Sequence, residues 1–123
     1  MSKGALGKVY ENGEIIFRQG EIGDSMYVVQ EGEVEVFVEK DDKEVRLRVL
    51  GEGESVGEMA IFTREVRSAT VRALGRVRVL TVDKRNFLAR VQEDPSLAFR
   101  ILETLSRRIR DLSDEVVLLK RKS

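Results

Sequence analysis

This sequence predicts a mainly β fold with flanking helices, of the sandwich or roll kind, and three observations carry that reading. From Glu14 to Val82, short segments of alternating apolar and polar residues are separated by glycine-bearing turns. After Val82 the apolar period changes from two to about 3.6 residues. The 123 residues, 41% of them apolar, are one domain's worth with enough material for a core.

Met1 to Tyr10 contains Gly4 and Gly7 and little periodicity, and is expected to be a lead-in with a short helix. The strands expected next are Ile15 to Arg18, Ser25 to Gln30, Glu33 to Glu39, Val45 to Leu50, Ser68 to Leu74 and Val77 to Val82. In Glu33 to Glu39 the valines face one way and the glutamates mostly the other. In Val45-Arg46-Leu47-Arg48-Val49 the arginines are expected on the solvent side, where they can face the glutamates of the strand before. Lys40 to Lys43, with Asp41-Asp42 in the middle, makes the hairpin turn. Gly13, Gly20, Gly23 and Gly32 stand at turn positions and are expected to supply positive φ.

Two helices complete the chain. Asp83 is a good N-cap for one through Phe87, Leu88 and Val91, spanning 83–94, and Asp94-Pro95 interrupts it and starts the next, 95–120. In the last helix Ala98, Leu102, Leu105, Ile109, Leu112, Val116 and Leu119 form a heptad seam, with β-branched residues at two of the three a positions and leucine at d. That pattern favours a parallel two-stranded coil, with Glu115 at g facing Lys120 at e of a second copy. A seam that packs only on its own sheet is the alternative.

Composition removes several classes of function. Lysine plus arginine number 22 and aspartate plus glutamate 22, so charge balance calls for no nucleic acid, and the basic Lys120-Arg121-Lys122 reads as a frayed terminus. Without cysteine or histidine there is no support for disulfides, thiolate catalysis, zinc or haem sites or a histidine-based triad. No acid and base pair is placed at one site by sequence, so no enzyme and no catalytic cofactor is expected. No run approaches about 18 apolar residues, and no leader-like segment opens the chain, so a cytoplasmic, non-membrane protein is expected.

Chemistry concentrates between Val56 and Ala73. Gly57 permits close backbone approach, and a short helix beginning near Glu58 aims N–H groups and a small positive dipole end at an anion. Arg67 offers a planar, permanently charged fork for a phosphate, and Ser68 a hydroxyl donor. Glu58 cannot favour the same anion, and a sugar hydroxyl is its economical partner.

Gly57-Glu58, the apolar run Met59-Ala60-Ile61 and Arg67-Ser68-Ala69 together resemble the phosphate-binding cassette of the cyclic nucleotide-binding domains, particularly those of the bacterial catabolite activator type. The string Gly20 to Val29, with Gly32 ahead of Val34, resembles the same family, so the likeness spans about residues 10 to 119. One departure is Val66, where many members have proline, which leaves the loop Thr63 to Val66 less rigid. The resemblance implies a double-stranded β-helix, a jelly-roll-like β-roll over 10–82, with cassette 56–73, a short cassette helix and a long C-terminal helix. It implies that Glu58 takes the ribose 2′-hydroxyl, that Arg67 and Ser68 take the cyclic phosphate, and that Gly57 and Ala60 add backbone donors beside Met59 and Ala69. In that family the last helix is the dimer helix and closes the base end of the pocket. Leu112 and Ser113 then fall where two hydroxyl residues contact adenine, and only Ser113 matches, while Arg107 and Arg108 match basic positions and read equally well as a solvated face.

Residues 1–123 are therefore expected to form a sensor module that binds a cyclic nucleotide monophosphate; the resemblance implies cAMP ahead of cGMP, since Ser68 rather than threonine comes after Arg67, while Leu112 leans against strong selectivity. The module is expected to form a parallel homodimer through Leu102, Leu105, Ile109, Leu112, Val116 and Leu119, and to signal to an unknown effector protein. The competing reading is an unliganded dimerising scaffold of the same fold, in which Arg67 and Glu58 pair with each other. The sequence contains no family helix-turn-helix after the last helix, and whether the chain is a free-standing module or a fragment stays open.

Overall fold

The structure, a computed structural model, describes residues 7–63 and 66–122. Its strands are β1 (Lys8–Tyr10), β2 (Ile15–Phe17), β3 (Ser25–Lys40), β4 (Lys43–Leu50), β5 (Ser55–Val56) and β6 (Thr70–Asp83), and its helices are α1 (Met59–Phe62), α2 (Lys84–Glu93) and α3 (Ser96–Lys122). All strand pairs are antiparallel, in the order β1-β6-β3-β4, with β2 also on β6 and β5 also on β3. Two compact units divide between Asn86 and Phe87.

The first unit is built on β3 and β6, which pair from Ser25↔Asp83 to Phe37↔Thr70. Sequence alternation expects each of these as two strands, and the structure joins them. Register shifts at Glu31 and Glu33, with Gly32 at φ +85°, bend β3 without ending its ladder. The bend is specific to glycine, since a Cβ at Gly32 would lie 2.5 Å from the Arg76 carbonyl oxygen. Val34, Val71, Val77 and Val79 fill the interior, joined by Phe17, Val29, Val36 and Leu50.

Several local expectations change. Lys8–Tyr10 is a strand on β6 rather than part of a helix, and residues 1–6 lie outside the described residues. The hairpin is as expected in place, and Asp41 and Asp42 both take positive φ, the two-residue turn that matches strand twist. Arg46 and Arg48 are both exposed, as expected of the arginines of β4, but they do not share one face of the sheet. A bulge between Val36 and Phe37 pairs Phe37 with Arg46 but Val36 with Arg48, which changes the side on which the alternation falls. Val45, Leu47 and Val49 are exposed, since β4 is an edge strand. Glu35 is buried rather than solvent-facing, held by Arg46 at 2.6 Å and by Arg72, whose guanidinium lies over the Phe37 ring and also bonds Glu44 at 3.1 Å.

At the end of the first unit, the Asp83 carboxylate accepts from the Asn86 N–H at 2.8 Å and caps α2 as expected. Asp94 does the same for α3 through the Ser96 N–H at 3.1 Å. α3 runs 27 residues, and Leu102, Ile109, Leu112, Val116 and Leu119 of the heptad seam are exposed along it, while Leu105 is half-buried. Among the described residues no helix is long and apolar enough to cross a membrane.

Candidate functional site

The cassette begins where β5 ends. Val56 pairs with Tyr27 of β3, and Gly57 then turns with φ +78° into the single turn of α1. Buried Ile61 anchors that turn, leaving Met59 and Phe62 exposed. Four residues make a weak dipole, so an anion here depends on Arg67 far more than on the helix. The Ala60 N–H, expected as a ligand donor, bonds to the Gly57 carbonyl at 3.1 Å and closes the turn instead. Glu58 occupies the cap position and is 2% exposed.

Arg67 is held from both ends. Its N–H donates to the Glu21 carbonyl at 2.7 Å, its carbonyl accepts from the Gly20 N–H at 2.9 Å, and Val66 before it bridges to Ile22. The guanidinium is buried, 7% exposed, and donates through Nη2 to the Ser25 carbonyl at 2.7 Å and through a longer bond from Nη1 to the Gly57 carbonyl at 3.4 Å. It lies over the Phe17 ring at 4.1 Å and near the Tyr27 ring at 5.7 Å, two rings that meet at 5.5 Å between centroids. Cation–π contact and carbonyl acceptors replace the water a buried guanidinium loses. Burial pushes the Tyr27 phenol above its ordinary pKa against the opposing pull of Arg67, so the ring stays neutral at physiological pH.

Two glycines make room for this side chain. A Cβ at Gly57 would sit 2.6 Å from Nη1, and one at Gly23 2.2 Å from Nε. Gly23 is therefore not the positive-φ turn residue expected from sequence; it is the surface against which the guanidinium rests. Ser68 is exposed at the bend before β6 and Ala69 is buried behind it. Arg64 and Glu65, within the loop expected to be less rigid, lie outside the described residues.

The structure thus brings Gly57, Glu58, Met59, Ala60, Arg67, Ser68 and Ala69 into one cassette. Leu112 and Ser113 stand exposed on α3 in the second unit. Sequence reasoning missed Phe17, Gly23, Ser25 and Tyr27, because a carbonyl acceptor and a resting surface leave no mark on residue type. Among the described residues no cluster of metal-ligating side chains occurs.

The family model of the cyclic nucleotide-binding domain matches residues 7–94. The chain belongs to the cyclic nucleotide-binding domain family. A candidate potassium channel protein of Rhodopseudomonas palustris is 40% identical over 107 residues, which are 86% of this chain and 26% of that relative. The crystal structure of the Thermus thermophilus catabolite activator protein superposes with a TM-score of 0.84 at 31% identity, covering 95% of this chain and 56% of that one. An EAL enzyme in its cAMP-bound form superposes at 0.65 with 37% identity over 91% of this chain and 30% of its own. The same enzyme in its cGMP-bound form superposes at 0.66 with 38% identity over 85% and 28%. This cyclic nucleotide-binding domain therefore spans only a part of each, about a quarter to a half of their lengths. The β-roll of the catabolite activator type is the fold that the sequence resemblance implies.

Proposed function

We propose that this cyclic nucleotide-binding domain takes a cyclic nucleotide monophosphate as a regulatory ligand, with cAMP favoured over cGMP by Ser68. The observation that carries the reading is the pair Glu58 and Arg67, an acid and a guanidinium buried in one cassette, with Gly57 beside both. Burying ionisable side chains is costly, and a ligand with an anionic and a hydroxyl end uses both. Arg67 supplies its remaining N–H donors to the cyclic phosphate together with the Ser68 hydroxyl, and Glu58 accepts from the ribose 2′-hydroxyl. The guanidinium donates to the Ser25 and Gly57 carbonyls, which speaks against a scaffold whose Arg67 serves only to pair with Glu58. Solved relatives with cAMP and with cGMP bound support the ligand class.

Leu112 covers the base by packing and Ser113 reaches it from a second copy of the chain. Ligand binding orders α3 and shifts its self-association, a route by which a module with no catalytic groups signals to an effector. The test is a calorimetric titration with cAMP and then cGMP on the wild type and on Arg67→Ala. Loss of about 1.5–3 kcal/mol of binding in the variant is expected for a charge-assisted hydrogen bond. Unchanged affinity excludes the phosphate site, and no binding of either nucleotide to the folded, ligand-free wild type turns the reading to a scaffold.

A further inference from the structure

β3 and β6 pair regularly from Ser25↔Asp83 to Val29↔Val79 and again from Glu33↔Leu74 to Phe37↔Thr70, but not in between. There Glu31 pairs with Arg78, and Gly75-Arg76-Val77 of β6 stand against the single residue Gly32 of β3. Extra residues in one strand re-aim the side chains beside them. A cleft of about 240 Å³ opens at this place, lined by Val9, Glu31, Arg76, Val77 and Arg78, all within the first unit.

The cleft holds an ion pair that does not close. Val9, Arg78 and Glu31 lie side by side across β1, β6 and β3, because Arg78 pairs with both of the others. Directly paired residues stand about 5 Å apart at Cα, close enough for an acid and a base on one face to bond. Arg78 instead donates through Nη1 to the Gly7 carbonyl at 3.3 Å, just ahead of β1. Arg76 Nε lies 3.7 Å from Glu11 Oε1, too far for a hydrogen bond, and both of those side chains are largely exposed. Glu31 has no hydrogen bond or ion pair among the described residues. Two guanidinium forks with donors to spare thus share a cleft with a carboxylate whose acceptors are unused.

We propose that this cleft binds a free α-amino acid, with its carboxylate on Arg76 and Arg78 and its ammonium on Glu31. The charges select that class. A multiply charged anion such as phosphate meets the Glu31 carboxylate, and a simple cation meets two guanidinium groups, so one wall penalises each. A zwitterion satisfies both walls at once. Its carboxylate suits the planar fork of an arginine, and its ammonium donates to the glutamate as a compact charge. Val9, half-buried beside Arg78, offers an apolar edge to an aliphatic side chain, and the volume is that of a small metabolite. No cassette residue lines the cleft, so the inference stands apart from the cyclic-nucleotide reading.

The experiment is titration of the ¹⁵N-labelled protein by two-dimensional NMR with L-leucine, with L-leucinamide, which lacks the carboxylate, and with 4-methylpentanoate, which lacks the ammonium. The wild type is expected to bind L-leucine with a Kd on the order of 1 mM, as befits so few atoms, and about tenfold tighter than either analogue. Saturable shifts are expected at the amides of Val9, Glu31, Gly32 and Arg76 to Arg78. Glu31 and Arg76 are exposed, so their substitution leaves the fold in place. Glu31→Gln is expected to weaken L-leucine at least about tenfold while 4-methylpentanoate holds within about twofold or binds tighter, since only the ammonium has lost its partner. Arg76→Gln is expected to weaken both. No saturable shift up to about 50 mM L-leucine overturns the inference, because binding that weak is below what two charged contacts supply. Equal affinity of the wild type for L-leucine and 4-methylpentanoate overturns it too, and reduces the cleft to a patch that attracts anions.

Discussion

Arg67 Nη2 donates to the Ser25 carbonyl at 2.7 Å, while the backbone of the same arginine is bonded to Gly20 and Glu21. One short loop, Gly20 to Ser25, therefore fixes the main chain and the tip of the side chain together. A guanidinium set in place before a ligand arrives loses little further rotamer freedom on binding. The aromatic pair Phe17 and Tyr27 adds orientation, because the planar group stacks over the Phe17 ring.

Replacing Gly23 with alanine tests that placement. The new methyl would approach Nε to 2.2 Å and Nη2 to 2.4 Å, and the end of a flexible side chain gives way more easily than the backbone. Thermal unfolding of Gly23→Ala is expected to show a loss of about 1 kcal/mol, roughly one hydrogen bond. Titration with cAMP is expected to show the larger effect, a loss of about tenfold or more, as befits a displaced charged donor. Intact affinity in a destabilised variant would mean that the guanidinium is not held where the ligand needs it.

The acid, glycine and arginine of the cassette stand out in the sequence because each has a residue type tied to its chemistry at a fixed spacing. The roll is legible for a similar reason, as alternation reports burial on one face. Ser25 and Gly23 are not legible, since the first contributes only a carbonyl and the second only the lack of a Cβ, to an arginine more than 40 residues away. The sides of Arg46 and Arg48 are hidden by the bulge, because one extra residue breaks the very alternation from which a face is read. Gly32 misleads in the same manner, bending a strand at a position where a glycine reads as its end.

Glu35 gives the first unit an acid-sensitive contact. Hydrogen bonds from Arg72, more than those from Arg46, hold its carboxyl below the ordinary carboxylate value despite the opposing effect of burial. A depressed folded-state pKa stabilises the fold above the unfolded-state value of 4.5, and that contribution disappears as pH falls through the lower folded-state value. Glu35→Gln is therefore expected to be less stable than the wild type at pH 7, with the difference shrinking once pH drops below 4.5. Urea unfolding of both proteins across this range is the measurement. A difference that does not vary with pH would assign the cost to packing around Phe37 rather than to charge.

The apolar seam of α3 carries the proposed self-association. Leu102, Ile109, Leu112, Val116 and Leu119 are exposed at heptad spacing, and a helix of 27 residues that shows such a stripe to water gains by covering it. In a parallel pair Ile109 meets its own counterpart at an a position, where a carboxylate would be desolvated beside a like charge. Sedimentation velocity is expected to find the wild type dimeric and Ile109→Asp monomeric. The first unit contains none of the altered contacts, so its melting is expected to stay within about 0.5 kcal/mol of the wild type, as for a surface substitution. If Ile109→Asp remains a dimer, association runs through a different surface, and the role of Ser113 as a contact to the neighbouring copy's ligand falls with it.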